Sequence, residues 1–384
     1  MNIFILNAVC GSGSTGRMVA EMAAFLKRHG HRVMAAYGVG EGPEWAVKIN
    51  SRPGYCLHNG LSRLTDHAGL YSRPQTRYLI QKIREFQPDV VHIHTLHGYY
   101  VNYELLCGFL TEAGIPVVMT LHDCWSFTGH CTHFTGIRCD QWKTGCASCP
   151  QLRRYPVCYG RGDAARNWQR KRQAFTGLPN LTIVTPSRWL GELAEQSFLG
   201  KFPIQVIPNG IDLTVFRPTP GASLPQGKPI LLGAAGVWEK SKGLFDFYRL
   251  AWLLPEHQIV LAGLSPAQRR ALPPEILGLG HISDPRELAA LYTAASVFVN
   301  PTREDTFPTV NLEAQACGTP VVTYDSCGCP ETLLPGGRAV AVGDVEALAR
   351  TVREGLPAPG DPGPLDRERA MARYLTLYER CLRR

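Results

Sequence analysis

The chain has 384 residues and no uninterrupted apolar run approaching the roughly 18 needed to cross a bilayer, so a membrane-spanning helix is not expected. Its first residues, MNIFILNAVCGSGSTGR, lack the basic segment and the small-residue cleavage site that flank the apolar core of a secretory signal. The expected location is therefore cytoplasmic. Charged residues are sparse, at 19%, against 45% hydrophobic ones, which excludes a disordered or fibrous chain. Without export, the 13 cysteines are expected as thiols or metal ligands and not as a disulfide framework. At roughly 100 to 200 residues per domain, the length calls for two domains.

A net charge of +8 favours anionic partners without choosing among nucleic acid, anionic lipid and phosphorylated small molecules. Part of the excess is local. Between Gln151 and Asn180 stand Arg153, Arg154, Arg161, Arg166, Arg170, Lys171 and Arg172 against one acid, Asp163, with Tyr155, Tyr159 and Trp168 among them. No recognition helix or base-stacking motif accompanies this charge, so a nucleic-acid partner is not expected. The patch would suit an anionic membrane surface, with the aromatics adding interfacial contact, or else an ordinary solvated basic face or a site for a substrate's phosphates, with the aromatics as local core.

Short apolar runs alternate with helix-length amphipathic stretches, the pattern of parallel strands buried under helices. In the first half the runs are Asn2 to Val9, Arg32 to Tyr37, Val90 to His94, Pro116 to His122 and Leu181 to Pro186; in the second they are Pro229 to Ala235, Gln258 to Gly263, Val297 to Pro301 and Pro320 to Tyr324. The expected fold class is α/β, with two doubly wound, Rossmann-like domains. Pro208-Asn209-Gly210 breaks any continuing helix, which puts a hinge near Ser187 to Phe216. The expected division is 1–190, 191–364 and a C-terminal helix over 365–384 packing back on either domain. In that last stretch Met371, Tyr374, Leu375 and Tyr378 recur at helical spacing.

The first strand runs into Gly11-Ser-Gly13-Ser-Thr-Gly16-Arg17 and then a helix, so backbone amides and the helix N-terminus are available to an anion. The loop lacks the lysine of a nucleotide-triphosphate loop. It also lacks the carboxylate expected about 20 residues later in a dinucleotide site, where Tyr37 to Gly40 stands instead. A nicotinamide enzyme is thereby disfavoured, while Gly13 and Gly16 remain candidates for contact with a phosphate.

The second half carries a sharper pattern, Asn300-Pro-Thr-Arg-Glu304-Asp305-Thr-Phe307-Pro-Thr309-Val310-Asn-Leu-Glu313-Ala-Gln-Ala-Cys-Gly-Thr-Pro320. It predicts a strand end, an acidic loop and a short helix from Thr309 to Cys317 closed by Gly318 and Pro320. With Val206-Ile-Pro-Asn-Gly-Ile-Asp212, this resembles the family 4 retaining glycosyltransferases of the two-domain GT-B fold, in the bacterial exopolysaccharide branch that includes the colanic-acid type. The likeness covers essentially the whole chain. It implies two Rossmann-like domains facing across a cleft, a nucleotide-sugar donor such as a UDP- or GDP-sugar held mainly by the second, and a saccharide or lipid-linked acceptor held mainly by the first. No cofactor is implied for catalysis.

By the same resemblance, two acids eight positions apart contact the donor sugar and the ribose. Counting back from Glu313 reaches Asp305 and not Glu304, which leaves both as candidates for the sugar contact. Phe307, Thr309 and Val310 fall in the donor-binding segment. Lys242-Gly243 matches the family's pyrophosphate lysine, whereas Val237 stands where an arginine is usual and Lys240 is the candidate replacement. His122, at the end of a strand in Leu121-His-Asp-Cys-Trp125, corresponds to a histidine near the donor sugar, assigned to hydroxyl contact or charge stabilisation. In the Gly-Gly-x-Pro-Glu turn of the family, Cys327 replaces the first glycine.

Beyond His122, Cys131, Cys139, Cys146 and Cys149 are spaced C-x7-C-x6-C-x2-C, and the final pair is a good half-site for zinc. By the same resemblance, related exopolysaccharide transferases look to carry this cluster. A structural zinc is one expectation and reduced thiols packed in a loop the other; four thiolates would leave no open position for zinc catalysis. The expected activity is hexosyl transfer in bacterial polysaccharide synthesis, at or near the inner face of the membrane. A fold-related nucleotide-sugar epimerase and, more remotely, a zinc-containing nucleic-acid-binding protein are the competing readings.

Overall fold

The computed structural model describes residues 1–383, which divide into two compact units, Met1–Ile207 with the C-terminal residues from Met371 on, and Pro208–Ala370. In the first, β1 (Asn2–Asn7), α1 (Gly13–Arg28), β2 (Arg32–Tyr37), β3 (Val47–Lys48), α2 (Arg52–Thr65), α3 (Arg73–Phe86), β4 (Val90–Ile93), α4 (Tyr103–Ala113), β5 (Val117–Thr120), α5 (Ala164–Thr176), β6 (Leu181–Thr185), α6 (Arg188–Glu195) and β7 (Ile204–Val206) follow one another. Their strands form one parallel sheet in the order β3-β2-β1-β4-β5-β6-β7. Strands buried on both faces account for the near-continuous apolar runs: β4, β5 and β6 are buried at every position.

This unit extends to Ile207 and not to residue 190. The reason is β7, a three-residue strand whose Ile204 and Val206 pair with Ile183 and Thr185 and so tie the segment to the first sheet. The break at Pro208-Asn-Gly falls inside the anticipated hinge region.

The second unit contains β8 (Ile230–Ala234), α7 (Leu244–Leu253), β9 (Gln258–Ala262), α8 (Pro266–Arg270), β10 (Ile276–Gly278), α9 (Pro285–Ala294), β11 (Val297–Asn300), α10 (Thr309–Ala316), β12 (Val321–Tyr324), β13 (Arg338–Val340) and α11 (Val345–Glu354). Its parallel sheet runs β10-β9-β8-β11-β12-β13. Two apolar clusters cover its faces, one around Phe247, Leu261 and Tyr324, the other around Tyr292, Phe298 and Val321. α12 (Arg367–Cys381) begins in this unit and passes to the first, where Tyr374 and Tyr378 are buried against Thr120 and His92.

In each sheet the chain reverses its winding direction once, between β1 and β4 and between β8 and β11. Loops leaving adjacent strands on either side of such a switch diverge and open a crevice at the carboxyl ends, where doubly wound sheets bind ligands. The residues that matter chemically are therefore those just past the ends of these four strands.

Candidate functional site

In the second unit the loops after β8 and β11 meet. Trp238 anchors the first of them, its indole N–H donating to Ala262 O at 2.8 Å, and a single turn over Lys240–Lys242 follows. Gly243 then takes φ +74°, and a side chain there would lie 2.4 Å from Pro301 O. Only glycine meets both demands, which is the physical reason for Lys-Gly at this position. The Arg303 N–H donates to Ser241 O at 2.8 Å, stitching the two loops together.

This apposition sets the Lys242 ammonium 2.6 Å from Oδ2 of Asp305, while Oδ1 of Asp305 accepts the Phe307 N–H at 3.1 Å. Burial works against the lysine charge, but the Asp305 charge and hydrogen bond outweigh it, so the Lys242 pKa sits above its ordinary value. Glu304, the neighbouring acid, is turned inward and only 6% exposed. Lys240 is exposed to solvent. Of the two acids left open by the sequence, Asp305 is the one that faces the lysine.

Glu313 lies on α10, nearly buried, and accepts the Tyr292 hydroxyl at 3.0 Å. Thr309 opens that helix, Val310 packs against the cluster around Tyr292 and Phe298, and Phe307 is buried with Ile211, Leu312 and Ala316. These last contacts make Phe307 a wedge that fixes the acid loop to α10. A polar brace holds α10 to β11: Asn300 donates to Asn311 Oδ1 and Asn311 to Thr332 Oγ1, both at 2.8 Å. Cys327 adopts φ +53° in the turn whose Gly328 N–H donates to Asp305 O at 3.2 Å.

Arg303 escapes sequence reasoning. Its guanidinium grips Asp246 through two hydrogen-bonding nitrogens, at 2.7 and 3.0 Å, and the Tyr324 hydroxyl donates to the same carboxylate at 2.9 Å. Bidentate pairing of this kind fixes a loop better than a lysine would. The only sequence signal was an arginine within the acidic triplet.

In the first unit Gly11 and Gly13 have φ of +78° and +64°, and the Gly11 N–H closes the loop onto Gly16 O at 2.8 Å. Gly16 is glycine for a different reason: a side chain there would crowd Val9 at 3.0 Å. Past the end of β5 stands His122, its Nε2 2.9 Å from Nδ1 of His94, which lies just past β4. Asp123 is committed elsewhere, to His97 at 2.8 Å and to the Trp125 N–H at 2.8 Å. Burial pushes the Asp123 pKa up; the charge of His97 and its hydrogen bond, with His133 and the Trp125 N–H, overcome this and hold it at about 2.

The cysteine cluster does not assemble as a metal site. Among the described residues no group of three or more His, Cys, Asp or Glu side chains is placed to hold a metal ion. The Cys131 and Cys149 thiols hydrogen bond to each other, chiefly lowering the Cys149 pKa to about 6 and raising that of Cys131. Cys146 Sγ accepts the Gly129 N–H at 3.2 Å, and Cys139 and Cys146 pack against the core. The loop is held instead by stacked Phe134 and Trp142, their centroids 5.0 Å apart.

The basic stretch also changes character. Lys171 is 1% exposed, donates to Trp125 O and Thr128 O at 2.7 and 3.0 Å, and lies 3.5 Å above the Trp125 ring; burial lowers its pKa to about 7. Trp168 is buried, with its N–H on Trp142 O. Both belong to the interior of this unit and not to a docking surface.

Two parallel, doubly wound units with charged groups at their switch points define the GT-B class of glycosyltransferase. Solved structures with this architecture align over nearly the whole chain. A glycosyltransferase from Rickettsia africae does so with a TM-score of 0.65 at 15% identity, covering 99% of this chain and 98% of its own. Anabaena HepE in complex with UDP-glucose gives 0.60 at 14% identity, covering 99% and 98%. The family model described as Glycosyltransferase Family 4 matches residues 15–215 and that described as Glycosyl transferases group 1 matches residues 228–356, so the chain belongs to glycosyltransferase family 4. WcaC of Escherichia coli, a glycosyl transferase named for colanic acid biosynthesis, is 26% identical over 373 residues, covering 91% of this chain and 90% of the relative. A lipopolysaccharide core mannosyltransferase, LpcC of Rhizobium leguminosarum, is 32% identical over 180 residues, 41% of this chain and 50% of LpcC.

Proposed function

We propose that this chain transfers a hexose from a nucleoside-diphosphate sugar, a UDP- or GDP-sugar, to a lipid-linked saccharide in polysaccharide assembly, with the anomeric configuration retained. The observation that carries the reading is the Lys242–Asp305 pair at the β8/β11 switch point, a cation and an anion arranged where a doubly wound sheet binds ligands. Support for the pathway comes from the relative named for colanic acid biosynthesis, and for the donor from the fold-related HepE with UDP-glucose.

In this reading Lys242 neutralises the charge that builds on the leaving diphosphate, with Lys240 at the exposed edge and the N-terminus of α10 adding positive field. Asp305 accepts hydroxyls of the donor sugar, and Glu313, steadied by Tyr292, accepts those of the ribose. Charged acceptors hold hydroxyl donors more strongly than neutral ones. His122 contacts a sugar hydroxyl. The leaving phosphate takes the acceptor's proton, so a dedicated protein base is not required, and no step calls on a metal.

A peripheral membrane face belongs to the same reading. On α2, Leu57 and Leu64 are 65% and 66% exposed and two helical turns apart. Tyr159, 58% exposed, joins them: its N–H donates to Arg63 O, and the Arg63 and Arg153 guanidinia lie over its ring. Exposed apolar side chains with arginine beside them suit an anionic leaflet.

The deciding experiment incubates purified protein with UDP-, GDP- and dTDP-sugars and lipid-linked acceptors, and reads the anomeric configuration of product by NMR. Donor turnover with a retained linkage is expected. Absence of both binding and turnover across the panel would remove the proposal, and conversion of donor without acceptor to an epimer would favour the epimerase.

A further inference from the structure

The segment Val91-His92-Ile-His94-Thr-Leu-His97 at the end of β4 supplies three histidines that the reaction as described leaves unused. His92 is fully buried, its Nε2 2.8 Å from Thr120 Oγ1 and its Nδ1 2.6 Å from the Tyr378 hydroxyl of α12. His97 is taken by Asp123. His94, only 4% exposed, packs its ring 4.1 Å from that of His92 and reaches His122 through Nδ1.

The His94 and His122 rings lie within 11° of one plane with centroids 5.2 Å apart. Combined with the 2.9 Å Nδ1 to Nε2 distance, this is an edge-to-edge arrangement with the hydrogen bond along the line of the two rings, the orientation in which such bonds are strongest. Burial holds both rings neutral, with the His122 pKa lowered to about 4 and that of His94 well below its ordinary value. Each neutral ring carries one proton, so one nitrogen of the pair donates and the other accepts.

The far side of His94 decides which. Its Nε2 is buried and has no hydrogen-bond partner among the described residues. Were His122 the donor, His94 would carry its own proton on that nitrogen, burying an unpaired N–H, the costlier of the two orphans. Were His94 the donor, the same position would hold only a lone pair. We propose that His94 is a positioning residue which donates its Nδ1 proton to His122 Nε2 and so fixes His122 in the Nδ1-protonated form.

The proposal rests on the reading of His122 as a contact to the donor sugar. It makes that contact a neutral hydrogen-bond donor acting through Nδ1–H, never a base, because the bare nitrogen of His122 is the one occupied by His94. The nearby Asp123 does not compete for the role of orienter, since its oxygens serve His97 and the Trp125 N–H.

The test uses the full chain labelled with 15N-histidine and a long-range 1H–15N correlation, which tells the protonated from the bare ring nitrogen. His122 signals are assigned by their loss in His122→Gln. Protonation at Nδ1 is expected, and protonation at Nε2 overturns the proposal. A second arm replaces the donor by an acceptor: His94→Asp should move the His122 proton to Nε2 and lower kcat about tenfold, one hydrogen bond's worth, with a smaller change in donor KM. His94→Asn, whose amide N–H replaces Nδ1–H, should restore both the tautomer and most of the rate. A flipped tautomer with unchanged kcat would also overturn the positioning role while leaving the sugar contact intact. Full turnover in His122→Ala would instead sink the sugar contact itself, and the wild-type tautomer would still stand on its spectrum.

Discussion

The Lys242 ammonium lies 2.6 Å from the Asp305 carboxylate across 63 residues of sequence, because β8 and β11 are neighbours at the point where the second sheet changes winding direction. Both side chains are about a quarter to a third exposed, so the pair adds little to stability, on the order of 1 kcal/mol or less. Its worth is in chemistry. Asp305→Asn is expected to reduce kcat/KM by about a hundredfold, the scale of a lost hydrogen bond between a sugar hydroxyl and a charged acceptor, with the melting temperature nearly unchanged. Lys242→Met should chiefly lower kcat, because the charge it neutralises builds only as the diphosphate leaves. Glu304→Gln, at a buried position, should lower the melting temperature while leaving kcat/KM within a few-fold. Steady-state kinetics with thermal melts on the three variants checks this; the opposite pattern would transfer the sugar contact to Glu304.

Lys171 and Arg172 are adjacent in sequence but opposite in burial, and substitution should separate them. Reversing Lys171 to Glu places an anion against two carbonyl oxygens and an aromatic face in the interior of the first unit. A loss of about 3 kcal/mol or more is expected, enough to unfold a marginal protein. Arg172→Glu, at an exposed position, should change stability by about 0.5 kcal/mol or less. Urea denaturation of both variants reads the difference, and equal effects would contradict the burial of Lys171.

Acid should destabilise the fold before carboxylates titrate. Burial lowers the pKa of His58 and of His122 to about 4 and that of His92 to about 3, and holds that of His94 well below its ordinary value. In the unfolded chain each would titrate near 6.5, so between about pH 6.5 and 4 the unfolded state binds protons that the folded state refuses. Stability from these groups is complete above pH 6.5 and is lost as the pH falls through that window. For His58 alone, a depression from 6.5 to about 4 corresponds to about 3 kcal/mol. Denaturation free energies measured from pH 7.5 to 4.5 should fall steeply, and His58→Asn should flatten the slope by about one proton. A pH-independent free energy over that range would refute the assignment.

What the sequence made legible was periodic or local. Apolar runs located nine strands of the two sheets within a residue or two of their ends, since doubly buried strands cannot alternate. Lys242-Gly243 was readable because one backbone conformation demands glycine. β7 was not, because its three half-buried residues carry no run of their own and are defined by pairing with β6. The His94–His122 bond and the Arg303–Asp246 clamp are long-range polar contacts that leave no periodic trace. Lys171 reads as one more charge in a basic run until Trp125 and Thr128 are seen to enclose it. The cysteine spacing suggested a ligand set, yet spacing says nothing of where each thiol points.

The proposed membrane face yields a prediction that the burial pattern redirects from α5 to α2. Among the described residues no helix is long and apolar enough to cross a bilayer, so attachment through this part of the chain would be peripheral. Leu57, Leu64 and Tyr159 present apolar surface; Arg63 and Arg153 lie against the Tyr159 ring, and Arg52 on α2 and Arg161 two residues past Tyr159 are also exposed. Each arginine near an anionic leaflet contributes about 1 kcal/mol, and a buried leucine adds about 1.5 kcal/mol or more. Both terms should be visible separately in co-sedimentation with vesicles. Wild-type protein should bind vesicles containing phosphatidylserine at low salt, leave them at high salt because exposed charges are screened, and ignore neutral vesicles. Leu57→Asp with Leu64→Asp should abolish binding even at low salt, while Arg52→Glu with Arg161→Glu should weaken it and reduce its salt dependence. Because all four positions are exposed, each pair should leave the melting temperature and soluble-donor hydrolysis unchanged. Binding that survives the paired leucine substitutions would remove α2 from the docking face, and no binding to anionic vesicles by the wild type would remove the face altogether, with the glycosyl-transfer reading unaffected by either.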